Sequence, residues 1–254
     1  MDRRRFLTAL AAGTVAALAA PSALAVAEPS RPLLPTLPGI SLLPKIPVSA
    51  GTLTLLPNAG QRMALTVDDG ENTEVVAAFI QFARDTGARF TFFVTGRYAS
   101  WAANRDALRP LVESGQIQLA NHTWSHADLA KLPERQVADD LVRCQNFLRD
   151  TFGVDGGPYL RLPYGSSSPA VVKVAADLGY PRIVDWSGQL EDTAAPRTDE
   201  PAIVDLARTH FKPGGIVLCT ANDPAITHTY GQLIDVIRER KLELVTLNDV
   251  LLPV

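Results

Sequence analysis

Two carboxylates stand side by side in Thr66-Val67-Asp68-Asp69-Gly70, directly after an apolar run. Two of the four histidines fall within five residues in Asn121-His122-Thr123-Trp124-Ser125-His126. A third polar constellation, Leu160-Arg161-Leu162-Pro163-Tyr164-Gly165, follows another apolar run. One Asp and two His amount to three protein ligands for a divalent metal and leave coordination positions open to water, the layout of a catalytic site rather than a structural one. Histidines at i and i+4 share one face if the segment begins a helical turn. Neighbouring carboxylates on an extended chain point opposite ways, so Asp68 and Asp69 face one site only if the Gly70 turn bends the backbone. The pair reads either as a metal ligand beside a general base or as a capping turn leading into Asn72. Arg161 is either a surface residue before a loop or the cation that orients the carboxylate off the metal and keeps it ionised. Asp185-Trp186 and Asp192 mark a further polar loop, in which Trp186 serves the core or walls a ligand site.

Apolar spacing shows which elements must carry these groups. Short apolar runs at 62–67, 90–94, 117–121, 159–162, 182–186, 215–219 and 243–247 read as strands. Between them lie helical patterns with start and stop signals: Asn72 or Thr73 to about Asp85 with Gly87 beyond, Ser100 to Gly115, Pro133 to about Gly153, and Ser168-Pro169 to Gly179. Segments 200–211 and 229–241 complete the set. Strand-then-helix repeated about seven times predicts an α/β domain with a parallel sheet, open or closed into a barrel. Chemistry in such a fold sits on the loops leaving the C-terminal strand ends, where these polar residues fall. There is no internal repeat and no sign of a second domain.

The flanks and composition narrow the class. Residues 1–25 have a basic start, an apolar stretch and a small-x-small ending at Ala23-Leu24-Ala25, the build of a secretory signal. Arg3-Arg4-Arg5-Phe6-Leu7 resembles a twin-arginine signal, which predicts export to periplasm, cell wall or exterior; an uncleaved anchor is the other reading. Residues 26–60 are proline-rich and read as an extended tether, partly lying along the domain. The net charge of -3 argues against nucleic acid as partner. No apolar run beyond the N-terminus is long enough to span a membrane after signal removal. Cys144 and Cys219 are too few for a disulfide scaffold and read as buried free thiols.

The three motifs, in this order and each after a strand, resemble those of the NodB-homology polysaccharide deacetylases, carbohydrate esterase family 4, over about residues 61–252. The resemblance implies an irregular (β/α)7 barrel acting on N-acetylated or O-acetylated cell-wall or extracellular polysaccharide, such as peptidoglycan, chitin-like polymers or xylan. It implies Asp68 as general base, Asp69, His122 and His126 as ligands of one divalent metal (zinc suits two imidazoles and a carboxylate), and Arg161 positioning Asp68. The Tyr164 amide would help hold the tetrahedral oxyanion, while Trp186 and Leu218 would contact substrate. A monomer is expected.

The chain departs from the family twice. Asp192 matches the fourth-motif Asp, but Thr193 stands where that motif has Trp. The fifth-motif His, which protonates the leaving nitrogen, is Thr220, and a threonine hydroxyl lacks the acidity for that task. Three readings follow. Another group, His228 or Asp223, supplies the acid; the substrate is an O-acetyl ester; or the chain is a metal-containing relative that binds cell-wall glycan without turnover.

Overall fold

The structure, a computed structural model, describes residues 34–37, 39–40, 44–191 and 198–252. The signal segment, Asp192 and Thr193 lie outside the described residues. The strands are β1 (Gly51–Leu53), β2 (Arg62–Asp69), β3 (Phe90–Val94), β4 (Ile117–Asn121), β5 (Tyr159–Leu160), β6 (Arg182–Val184), β7 (Gly188–Gln189), β8 (Ile216–Thr220) and β9 (Glu243–Leu244). The helices are α1 (Thr73–Thr86), α2 (Ala99–Ala103), α3 (Arg105–Glu113), α4 (Glu134–Phe152), α5 (Pro169–Asp177), α6 (Glu200–His210), α7 (Tyr230–Glu239) and α8 (Leu247–Val250).

The strands form one sheet in the order β1-β6-β5-β4-β3-β2-β8-β7, with β9 pairing off β2, and every strand pair is parallel. The sheet curls into a half-barrel, as the resemblance implies. Alternation along β2 gives the sheet two buried faces. Met63, Leu65 and Val67 join Phe90, Phe92, Val217 and the inner faces of α1 and α7 in one core. Ala64 packs inside the barrel with Phe93, Ala120, Tyr159, Val184 and Ile216. Thr66 and Asp68 share the parity of Ala64 and so point inside. A third cluster seats α4 and α5 against Leu160 and Ile183. Each fully buried Phe or Leu in these layers contributes about 1.5–3 kcal/mol.

Helix signals hold where caps are local. Asn72 Oδ1 accepts from the Glu74 and Val75 amides, Gly87 closes α1 with φ 75°, and Ser168-Pro169 opens α5. Ser100 does not act as a cap. It lies inside α2, its hydroxyl donates to the Gly70 carbonyl, and Asn104 separates α2 from α3.

Two strands have no counterpart in the apolar periodicity. β7 is two residues long, and an added Cβ at Gly188 would stand 2.5 Å from the His210 side chain, so only Gly fits there. β1 lies in the stretch read as a tether. Its proline-free interval pairs with β6, Leu56 and Ala59 are buried, and Ile46 and Val48 pack on the inner core. Apolar side chains between the prolines thus have somewhere to go. Both cysteines are buried and free.

The turn after β2 is the tightest point of the scaffold. Gly70 has φ 88°, and a Cβ built there would lie 2.3 Å from the buried Trp101 ring, whose Nε1 donates to the Asp69 carbonyl at 3.0 Å. Gly70→Ala should cost about 2–4 kcal/mol, from overpacking and left-handed backbone together. By circular dichroism its thermal midpoint should fall roughly 5–15 °C. Gly231→Ala, where the methyl meets open space, should hold or raise it.

Candidate metal and catalytic centre

The bend that brings both carboxylates to one site begins a residue before Gly70. Asp69 itself has φ 68°, so it leaves the strand turned back toward Asp68. A non-glycine residue there is strained by about 1–3 kcal/mol and persists only because Trp101 and Ser100 lock the turn.

The histidines meet without a helix. Thr123 and His126 have φ 71° and 59°, and the loop after β4 folds back through these two left-handed residues. Asn121 Oδ1 accepts from the Thr123 amide at 2.7 Å, and Thr123 Oγ1 accepts from the His126 amide at 2.9 Å. Asp140 of α4 binds the amides of Trp124 and Ser125 and the Ser125 hydroxyl. The imidazoles end with ring centroids 5.0 Å apart. Asp140 has no signal in the sequence, because its partner amides lie some fifteen residues away.

Asp69 Oδ1 is buried and accepts no hydrogen bond, although His126 Nε2 stands 3.1 Å and His122 Nε2 3.5 Å from it. One ligand atom from each of Asp69, His122 and His126 lies within 4.8 Å of the others. His122 Nδ1 lies 2.8 Å from the Arg161 carbonyl, which leaves Nε2 toward the cluster, the arrangement that orients metal-binding imidazoles. An orphaned carboxylate oxygen between two imidazoles fits a divalent cation. Burial opposes ionisation of Asp69, but the two rings and the Asn222 amide outweigh it and hold the carboxyl down to about 2. Burial likewise opposes charge on His122, yet Asp68 and Asp69 hold its ring above the ordinary value; at His126 burial wins and the ring lies below it.

Arg161 is fully buried. Its Nη1 donates to Asp68 Oδ1 and Thr66 Oγ1, each at 2.7 Å, while Nε donates to the Val184 carbonyl and Nη2 to the Asp185 carbonyl. Burial pushes the Asp68 carboxyl up, and the guanidinium pulls it back.

Other expected residues are placed more variously. Tyr164 has φ 61°, is 71% exposed, and sets its ring edge-on to His126 with centroids 4.8 Å apart. Trp186 is half-buried, 5.7 Å from the Arg161 guanidinium and against Gly165. Leu218 is nearly buried on β8, on the same inward parity as Thr220. His228 pairs with Glu200 of α6 at 2.8 Å and is 61% exposed; no described hydrogen bond or ion pair joins it to the Asp-His cluster. Asp223 accepts from the Ala225 amide and caps a short turn. Asp192 lies outside the described residues.

Two residues that the sequence reading missed line the β8 side. Asn222 Nδ2 donates to Asp69 Oδ2 at 2.8 Å, and its Oδ1 accepts from the Glu71 amide at 3.0 Å. Glu191 Oε1 accepts from the Thr220 amide at 2.6 Å.

A curled parallel sheet with these carboxylates and imidazoles on its C-terminal rim defines the class, and residues 57–183 match the polysaccharide deacetylase family, the NodB-homology domains of carbohydrate esterase family 4, to which the chain belongs. It is 31% identical over 154 residues to a chitooligosaccharide deacetylase of Sinorhizobium fredii, covering 61% of this chain and 69% of that one. It is 30% identical over 193 residues to a chitin deacetylase of Arthroderma benhamiae, covering 74% of this chain and 51% of the relative, so it spans about half that protein's length. Among solved structures, a peptidoglycan N-acetylglucosamine deacetylase superposes with TM-score 0.70 at 21% identity, covering 80% of this chain and 93% of that one. A carbohydrate esterase family 4 pseudoenzyme from Bacillus anthracis superposes with TM-score 0.68 at 18% identity, covering 81% and 72%. These two likenesses carry the fold.

If Asp69, His122 and His126 hold zinc, His126→Ala should lose most of about one bound equivalent by elemental analysis. Asn222→Ala, which frees Asp69 to turn, should weaken zinc binding about 10–100-fold in a chelator competition.

Proposed function

We propose that the chain is an exported, metal-dependent deacetylase that removes acetyl groups from N-acetylated cell-wall or extracellular polysaccharide. One observation carries this reading: a buried carboxylate, Asp68, fixed by Arg161 at 2.7 Å, stands beside an Asp-His-His cluster without belonging to it. A metal-binding module needs only the cluster. A hydrolase needs the extra base. Relatives named for chitin, chitooligosaccharide and peptidoglycan deacetylation support a polysaccharide substrate. The signal-like N-terminus supports export.

Asp69, His122 and His126 would hold the metal, for which zinc is the reading, and when bound it supplies Lewis acidity toward water and the acetyl carbonyl. Asp68 takes the proton of the attacking water, and Arg161 fixes its angle and stabilises its anionic form. The Tyr164 amide, in its left-handed turn beside His126, donates to the oxyanion that develops on the acetyl oxygen. Trp186 and Leu218 flank the mouth and contact the sugar.

A second reading is favoured by one observation: Thr220 occupies the place of the family's proton-donating histidine. On that reading the chain binds glycan without turnover. Asp68→Asn decides between the two. For an enzyme, acetate release from N-acetylglucosamine oligomers falls about 10²–10⁴-fold while metal content is kept. For a glycan binder, the wild type releases no acetate with any divalent metal, and the substitution leaves glycan affinity unchanged. Recovery of the protein from the cytoplasm of intact cells would overturn export.

A further inference from the structure

Cleaving an acetamide requires a proton for the departing nitrogen, because an amide anion is too basic to leave alone. Among the described residues around the cluster, the candidates are few. His228 is paired with Glu200. Burial pushes the Tyr98 phenol, which feels Asp69, above its usual value and makes it a weaker acid still. Glu191 differs. Thr220 is the register partner of Asp68, one strand spacing or about 4.8 Å away. The Glu191 carboxyl caps β8 there: Oε1 takes the Thr220 amide at 2.6 Å, where the next backbone carbonyl of β7 would stand. Two hydrogen bonds keep the chain on that course, from the Leu190 amide to the Leu218 carbonyl at 2.8 Å and from the Ala221 amide to the Asp68 carbonyl at 2.9 Å.

We propose that Glu191 is a further catalytic residue of this site, the proton donor to the leaving nitrogen in place of the histidine that Thr220 replaces. The inference rests on the deacetylase reading above. Asp68 is held from the Arg161 side and Glu191 reaches the end of β8 from the β7 side. As the tetrahedral adduct collapses, the C–N bond breaks, its electron pair stays on nitrogen, and the Glu191 proton forms the new N–H bond. Acetic acid and a free amine result, and the acid releases its proton to solvent as acetate. Asp68 holds the proton taken from water, and exchange with solvent returns Glu191 to its acid form. Burial pushes the Glu191 carboxyl above its ordinary range, the Thr220 amide and hydroxyl partly offset this, and the Asp69 and Asp68 carboxylates add to the rise. That is the direction a proton donor needs.

The test compares leaving groups with the full, zinc-loaded chain, using an N-acetylglucosamine oligomer and 4-nitrophenyl acetate, whose phenolate departs without a proton. Glu191→Gln keeps the acceptor for the Thr220 amide. It should lower kcat/KM about 10²-fold or more on the amide and no more than about threefold on the ester, with zinc content unchanged. Glu191→Asp, which keeps an acid, should retain more than roughly a tenth of the amide rate. Equal losses on both substrates, or a full amide rate in Glu191→Gln, would overturn the assignment. If Glu191→Gln fails to fold, the Asp variant decides: an amide-selective loss of less than tenfold supports the donor, and an equal loss on both substrates overturns it. A wild type that cleaves neither substrate with any divalent metal brings down the deacetylase reading itself, and this inference with it.

Discussion

A guanidinium buried inside a barrel must have each of its nitrogens partnered, and Arg161 organises the site around that requirement. An unpaired charge there would cost several kcal/mol, and removing one partner of a buried pair typically costs about 3–5 kcal/mol. Arg161 binds Asp68, Thr66 and two carbonyls of the β6 edge, and it stacks 4.2 Å from the Phe93 ring. Its own carbonyl faces His122 Nδ1. One residue thereby fixes the angle of the carboxylate assigned as base and the orientation of a ring assigned as ligand. Because both depend on the same backbone step after β5, base and ligand cannot drift apart.

Strain is concentrated at the same rim. Asp69, Thr123, His126 and Tyr164 all have positive φ without being glycine. Each is held by tertiary partners: Trp101 and Ser100 on the β2 turn, Asp140 on the histidine loop, the His126 ring beside Tyr164. The rigid sheet below makes these conformations tolerable, since core packing leaves little room for the loops to relax. The rim is therefore preorganised, which suits a site that must face developing charge without reorganising.

The barrel itself does not decide activity. A pseudoenzyme and a peptidoglycan deacetylase superpose on this chain almost equally well. Activity must rest on the rim groups of each chain, and here the β8 side is built as follows. Thr220, Asn222 and Glu191 form a neutral and acidic edge at the end of β8. Asn222 holds the outer oxygen of Asp69, and Glu191 holds the end of β8, so the edge is built rather than vacant.

The sequence by itself determined the alternation that yields a parallel α/β sheet, the caps of α1 and α5, and the three motifs that carry the Asp, His and Arg side chains. Those signals are local: periodicity of two or 3.6, a cap within three residues of its target, polar residues at strand ends. Tertiary structure decided the rest. The two histidines share a site through left-handed turns anchored by Asp140, not through a helical face, and β1 joined the sheet despite its proline-rich surroundings. His228 turned to Glu200, while Glu191 and Asn222 entered the rim from elements more than a hundred residues beyond Asp69 in the chain. Each outcome depends on which distant amide or carboxylate lies within 3 Å after folding. A linear sequence carries no distance of that kind, because contacts between remote strands are set by sheet order and curl rather than by spacing along the chain.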